Sequence, residues 1–134
     1  MASSPKAILI VEDEVSLLHI LTDKLNEIGY DTVPANNGED GLQLALQRHP
    51  DLILLDVLLP KLDGMSMLSK LRQDEWGKTV PVIVLTNVSP DREEQISSIN
   101  KTQPAYYLIK SNNTLENVVE KVKDLLSQTT ESNN

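Results

Sequence analysis

The sequence contains no cysteine and no phenylalanine, and aromatic residues of any kind make up 3% of it. The first absence excludes disulfides and thiolate metal sites, and it suits a reducing compartment. The second leaves the core to leucine, isoleucine and valine. Long apolar runs are missing as well. Nothing approaches the ~18 residues a membrane span requires, and no signal-peptide pattern opens the chain, so a cytoplasmic location without a membrane partner is expected. Basic residues are few, 12 against 20 acidic, for a net charge of −8. No local basic patch offsets that surface, and direct nucleic-acid binding is therefore not expected. The five glycines never cluster. That excludes the G-x-x-x-x-G-K-[ST] cradle of nucleotide triphosphatases and the G-x-G-x-x-G turn of dinucleotide-binding domains.

What remains is an alternation of two periodicities. Unbroken apolar runs at Ile8–Val11, Leu52–Leu55 and Val82–Leu85 predict strands buried on both faces. Weaker strands are predicted at Asp31–Ala35, where Pro34 suits an edge, and at Tyr106–Ile109. Helical stripes fill the intervals. Leu18, Leu21, Leu25 and Ile28 form one, with Gly29 as its stop; Leu42, Ala45 and Leu46 form another, with Asn36 or Asn37 as its cap. Met67, Leu68 and Leu71 mark a third, Ile96 and Ile99 a fourth after Pro90, and Leu115 to Leu126 a fifth capped by Thr114. Five strand–helix units predict an α/β domain over residues 6–126, a doubly wound five-stranded parallel sheet with helices on both faces. Residues 1–5 and 127–134, small and polar, read as flexible ends.

In such sheets, ligands lie beyond the carboxyl ends of the strands. Those ends carry Glu12 and Asp13, then Asp56, Thr86 and Lys110. Two unit charges ~4 Å apart at an effective dielectric of ~20 interact by about 4 kcal/mol, so three bare carboxylates at one mouth repel strongly. Lys110 offsets part of this. A hard dication offsets the rest, and Mg²⁺ favours one or two carboxylates with waters and a phosphate oxygen. Glu14 is read as a helix-start acid instead. A dehalogenase-type phosphatase would need a second acid two residues after Asp56, where Leu58 stands.

The segment "DLILLDVLLPKLDGMSML", with "ILIVEDE", "VIVLTN" and "YYLIK" in the same order, resembles the receiver domain of two-component response regulators over about Lys6 to Leu126. The resemblance implies a flavodoxin-like strand order 2-1-3-4-5 and a phosphoacceptor signalling role. It makes Asp56 the phosphoacceptor and Asp13 and Asp56 direct Mg²⁺ ligands, with Glu12 acting through water and the Leu58 carbonyl completing the set. Lys110 becomes the phosphoryl-binding lysine, Thr86 the switch hydroxyl and Tyr107 the switch aromatic. Leu58 and Val88 occupy the positions that tune self-dephosphorylation, and both are apolar, which implies a slow reaction. The implied partners are a sensor histidine kinase or histidine phosphotransfer protein, and a downstream protein bound at the face of the fourth helix, fifth strand and fifth helix. Four positions depart from the family pattern. Ser111 replaces a common proline, Asn87 a small residue, and "KTQPAYY" carries Gln103 and Pro104 where Gly-Ala is usual. They leave open an interaction-only pseudo-receiver. The expectation is a stand-alone receiver, not a conventional enzyme, that catalyses its own phosphorylation.

Other residues are read blandly. His19 and His49 lie away from the mouth. Trp76 is a plug before the fourth strand, Tyr106 packs on its sheet face, and "DREEQ" is a solvated helix face.

Overall fold

The computed structural model describes residues 5–56, 61–86, 105–109 and 114–131, with the backbone alone at 86, 105, 107, 109 and 128–131. In chain order the elements are β1 (Ala7–Val11), α1 (Val15–Ile28), β2 (Asp31–Ala35), α2 (Gly38–Arg48), β3 (Leu52–Asp56), α3 (Gly64–Arg72), a 3₁₀ turn (Trp76–Lys78), β4 (Val82–Thr86), β5 (Ala105–Ile109) and α4 (Leu115–Glu131). All five strands are parallel, in the order β2-β1-β3-β4-β5. This is the predicted flavodoxin-like arrangement. Pro34 lies on the edge strand β2, where its missing N–H removes no bond to a second neighbour. The helix predicted around Ile96 and Ile99 falls outside the described residues.

Strand side chains alternate between two cores, which explains the unbroken apolar runs. Ile8 and Ile10 of β1, Leu52 and Leu54 of β3, and Ile83 and Leu85 of β4 pack with Leu18, Leu21 and Leu25 of α1 and with Val118, Val119, Val122, Leu125 and Leu126 of α4. Their neighbours Leu9, Val11, Ile53, Leu55, Val82 and Val84 face the other way, against Ala45 of α2 and Met67, Leu68 and Leu71 of α3. Each leucine fully withdrawn from water in these layers contributes about 1.5–3 kcal/mol.

Local chemistry sets the helix ends. Gly29, at φ 121°, donates its N–H to Leu25 and Asn26 carbonyls and stops α1 as predicted. Of the two candidate asparagines it is Asn37 that caps α2, its side chain accepting from Asp40 N–H at 2.8 Å. Asp63 caps α3, and the Thr114 hydroxyl accepts from Asn117 N–H at 3.2 Å. Two expectations change. The apolar stripe predicts an end to the last helix at Leu126, yet α4 runs on to Glu131. Backbone hydrogen bonds propagate a helix past its buried stripe once it is nucleated. Tyr106 is not packed away but 41% exposed on edge strand β5, with the Lys121 ammonium 4.4 Å from its ring centroid.

Candidate metal and phosphoacceptor site

Register builds the site. β1 and β3 run side by side with Val11 opposite Leu55, and the next residues on the two chains are Glu12 and Asp56. Asp56 ends β3 and pairs with Leu85 of β4. Glu12 N–H donates to the Ala35 carbonyl at 2.9 Å, extending the β1–β2 ladder one step beyond the strand. The chain then turns into α1, leaving Asp13 exposed beside the buried pair.

Glu12 and Asp56 are 2% and 6% exposed. Burying carboxylates so deeply is costly unless charge or hydrogen bonds compensate. The Glu12 carboxylate accepts the Glu14 N–H at 3.1 Å. Glu14, expected from sequence to serve the start of α1, occupies the cap position without a side-chain capping bond. The acid two residues earlier instead accepts the N–H of that cap residue, its side chain reaching forward over the turn. One carboxylate oxygen from each of Glu12, Asp13 and Asp56 lies within 4.8 Å of the others. An all-oxygen set of three carboxylate donors of this size suits a small hard dication and no soft metal. The residues present therefore fit the group expected from sequence.

The structure brings three of the predicted site residues together. Thr86 is the last residue of β4, one step past the Leu85 that pairs with Asp56, and Tyr107 lies within β5 opposite Val84. Lys110, Leu58, Val88, Asn87, Ser111, Gln103 and Pro104 lie outside the described residues. His19 is exposed on α1. His49 and Trp76, read separately, turn out to stack on each other before β3 and β4, at the opposite end of the sheet. No sequence spacing signals that contact, since it joins two connecting segments.

A family model described as the response regulator receiver domain matches residues 8–123. Among curated proteins, the probable transcriptional regulator ycf27 of Cyanophora paradoxa is 42% identical over 86 residues, 64% of this chain and 35% of that protein. The polar-differentiation response regulator DivK of Brucella anthropi is 34% identical over 91 residues, 68% of this chain and 74% of its own length. The chain thus spans about a third of the longer regulators it matches. Among solved structures, a Francisella response regulator receiver domain superposes with a TM-score of 0.81 at 28% identity, covering 92% of this chain and 98% of that one. The receiver domain of a sensor histidine kinase from Pseudomonas aeruginosa, with a magnesium ion coordinated in its active site cleft, superposes with a TM-score of 0.80 at 27% identity, again covering 92% and 98%. The buried carboxylates at the strand ends, the sheet order and the matched span agree: the chain belongs to the response regulator receiver domain family of two-component signalling.

Proposed function

We propose that the protein accepts a phosphoryl group on Asp56 from a phosphohistidine donor, a sensor histidine kinase or histidine phosphotransfer protein, in a Mg²⁺-dependent reaction. The observation that carries this reading is the meeting of Glu12, Asp13 and Asp56 within 4.8 Å at the carboxyl end of the sheet. Asp13 and Asp56 would hold the ion directly, Glu12 through water, and the Leu58 carbonyl would add a further oxygen. When bound, Mg²⁺ supplies charge neutralisation to incoming phosphoryl oxygens. One Asp56 oxygen forms the new P–O bond while the P–N bond to the donor imidazole breaks, the ring nitrogen keeping the electron pair and taking up a proton. The transition state is loose, so position and charge matter more than nucleophile strength. Lys110 neutralises a second phosphoryl oxygen.

The aspartyl phosphate adds about −2 charge at this mouth. Thr86 turns its hydroxyl toward a phosphoryl oxygen, Tyr107 fills the vacated space, and the face formed by the segment around Ile96 and Ile99, β5 and α4 shifts between two packings that a downstream protein reads. Apolar Leu58 and Val88 restrict the attacking water, giving an acyl phosphate that lasts minutes or longer. Ser111 and Asn87, which depart from the family pattern, favour one alternative, a receiver fold that binds partners without turning over phosphate. Incubation with a small phosphodonor and Mg²⁺, followed by intact mass, separates the two. Gain of one phosphoryl group by the parent and none by Asp56→Ala supports phosphotransfer; no gain by the parent supports the alternative.

A further inference from the structure

The residues that open α2 lie against the end of β1, which leads into Glu12, and against the backbone at Leu62, just ahead of α3. A Cβ added to Gly38 would overlap the carbonyl oxygen of Leu62 and lie 2.7 Å from its carbonyl carbon. Leu62 belongs to the segment that leads from Asp56 into α3. A Cβ on Gly41, one turn further along, would come within 2.8 and 2.9 Å of the two Val11 methyls and 3.3 Å of Met67 Sδ. Val11 is the residue immediately before Glu12. The Ala35 carbonyl just upstream accepts the Glu12 N–H at 2.9 Å. Asn37, 5% exposed, holds this turn rigid: its Oδ1 accepts the Asp40 N–H at 2.8 Å, and its Nδ2 donates to Asp40 Oδ2 and Asn36 Oδ1, each at 2.9 Å.

We infer that the first turn of α2 is a positioning element for the metal site, Gly41 setting the end of β1 from which Glu12 and Asp13 follow and Gly38 setting the backbone at Leu62 ahead of α3. The inference rests on reading the three carboxylates as a Mg²⁺ seat. The physical reason is tolerance. Mg²⁺ demands near-ideal octahedral geometry, and a functional constellation has to be held within about 0.5 Å. The Gly38 contact is with backbone, which has no rotamer to yield, so a single methyl there displaces either the Leu62 chain or α2 itself. The Gly41 contact is with a β-branched side chain confined in the core, and transmits a smaller shift to β1.

A matched control separates positioning from general damage. Gly77 sits at the other end of the sheet, and a Cβ there would likewise overlap a backbone oxygen, that of Leu71, and lie 3.0 Å from its carbonyl carbon. Mg²⁺ affinity by titration calorimetry and metal-free Tm are compared for the full-length parent, Gly38→Ala and Gly77→Ala. We expect Gly38→Ala to weaken Mg²⁺ binding about tenfold or more, and Gly77→Ala to lower Tm while keeping affinity within about twofold. Parent-like affinity in Gly38→Ala, or equal weakening in both variants, overturns the inference alone. A parent that binds no Mg²⁺ overturns the metal site and the inference with it. Should Gly38→Ala fail to fold, Gly41→Ala carries the test, with lost affinity restored when Val11→Ala removes the obstructing methyls. Unchanged affinity in Gly41→Ala, or no restoration, overturns it.

Discussion

The imidazole of His49 lies flat on the indole of Trp76, with ring centroids 4.3 Å apart and planes 8° from parallel. His49 reaches this position through a left-handed backbone, φ 48°, at the end of α2, and Trp76 arrives on the 3₁₀ turn before β4. The stack lies at the end of the sheet opposite the carboxylates. Because Trp76 is the single tryptophan, its emission reports this end alone. His49→Ala should shift that emission to the red by exposing one indole face, at about 0.5–1.5 kcal/mol of stability. Saturating Mg²⁺ should leave the emission unchanged. A Mg²⁺-dependent change would show that the two ends of the sheet are coupled through the core.

Asp51 makes a second tie across the start of the sheet. Its carboxylate accepts the Ala7 N–H at 2.8 Å, and its own N–H donates to the Ala7 carbonyl at 2.8 Å. This pair joins the beginnings of β1 and β3, the two strands that carry the carboxylates. Asp51→Ala should lower stability by about 1–3 kcal/mol in urea unfolding, because it leaves a partly buried N–H without its acceptor. Asp51→Asn, which keeps an acceptor oxygen, should lose less. Equal losses would show that charge, not the hydrogen bond, is what matters there.

Arg72 fastens α3 to the turn before β4. Its Nη1 donates to the Gly77 and Val80 carbonyls at 2.6 and 2.9 Å. Burial pushes the guanidinium down to about 10, so it remains charged at neutral pH while bonding neutral acceptors. Arg72→Ala should cost about 1.5–3 kcal/mol per charge-assisted bond lost, read as a fall in Tm, with Mg²⁺ affinity unchanged. A large loss of Mg²⁺ affinity would extend the site's supporting structure well beyond α2.

Much of this fold was legible because the two cores leave a direct imprint on sequence. Ile8–Val11, Leu52–Leu55 and Val82–Leu85 are apolar at every position since both faces of each strand are covered; Gly29 and Thr114 mark helix ends whose chemistry is local, and Pro34 marks an edge strand. The carboxylate cluster was legible for a similar reason: strand ends in a parallel sheet converge, so Glu12, Asp13 and Asp56 had to meet if the strand order held. What escaped sequence reasoning depends on contacts between connecting segments or on where a helix stops being necessary. The His49–Trp76 stack, the Gly38–Leu62 approach and the Glu12 bond to Glu14 have no periodic signature. The run of α4 to Glu131 extends past Leu126, the last residue of its apolar stripe, where polar sequence resembles a tail. Tyr106 misled because alternation assigns a strand residue to a face and says nothing of how completely a neighbouring helix covers an edge strand.

Repulsion at the mouth has a consequence for stability. Asp13 is the exposed member of the cluster, held within 4.8 Å of two buried carboxylates. Asp13→Ala should abolish Mg²⁺ binding yet raise the Tm of the metal-free protein, by an amount corresponding to about 1 kcal/mol or more of relieved repulsion. Lower Tm in the metal-free variant would give Asp13 a structural role in place of an electrostatic one.

Locating the phosphoryl group tests the central proposal most directly. After reaction with a small phosphodonor, borohydride reduction converts an aspartyl phosphate to homoserine, which peptide mass mapping assigns to a position. We predict homoserine at position 56 when Mg²⁺ is present and none when it is chelated. Modification at Asp13, at His19 or at His49, or labelling of Asp56 that proceeds equally well without the metal, would contradict the assignment.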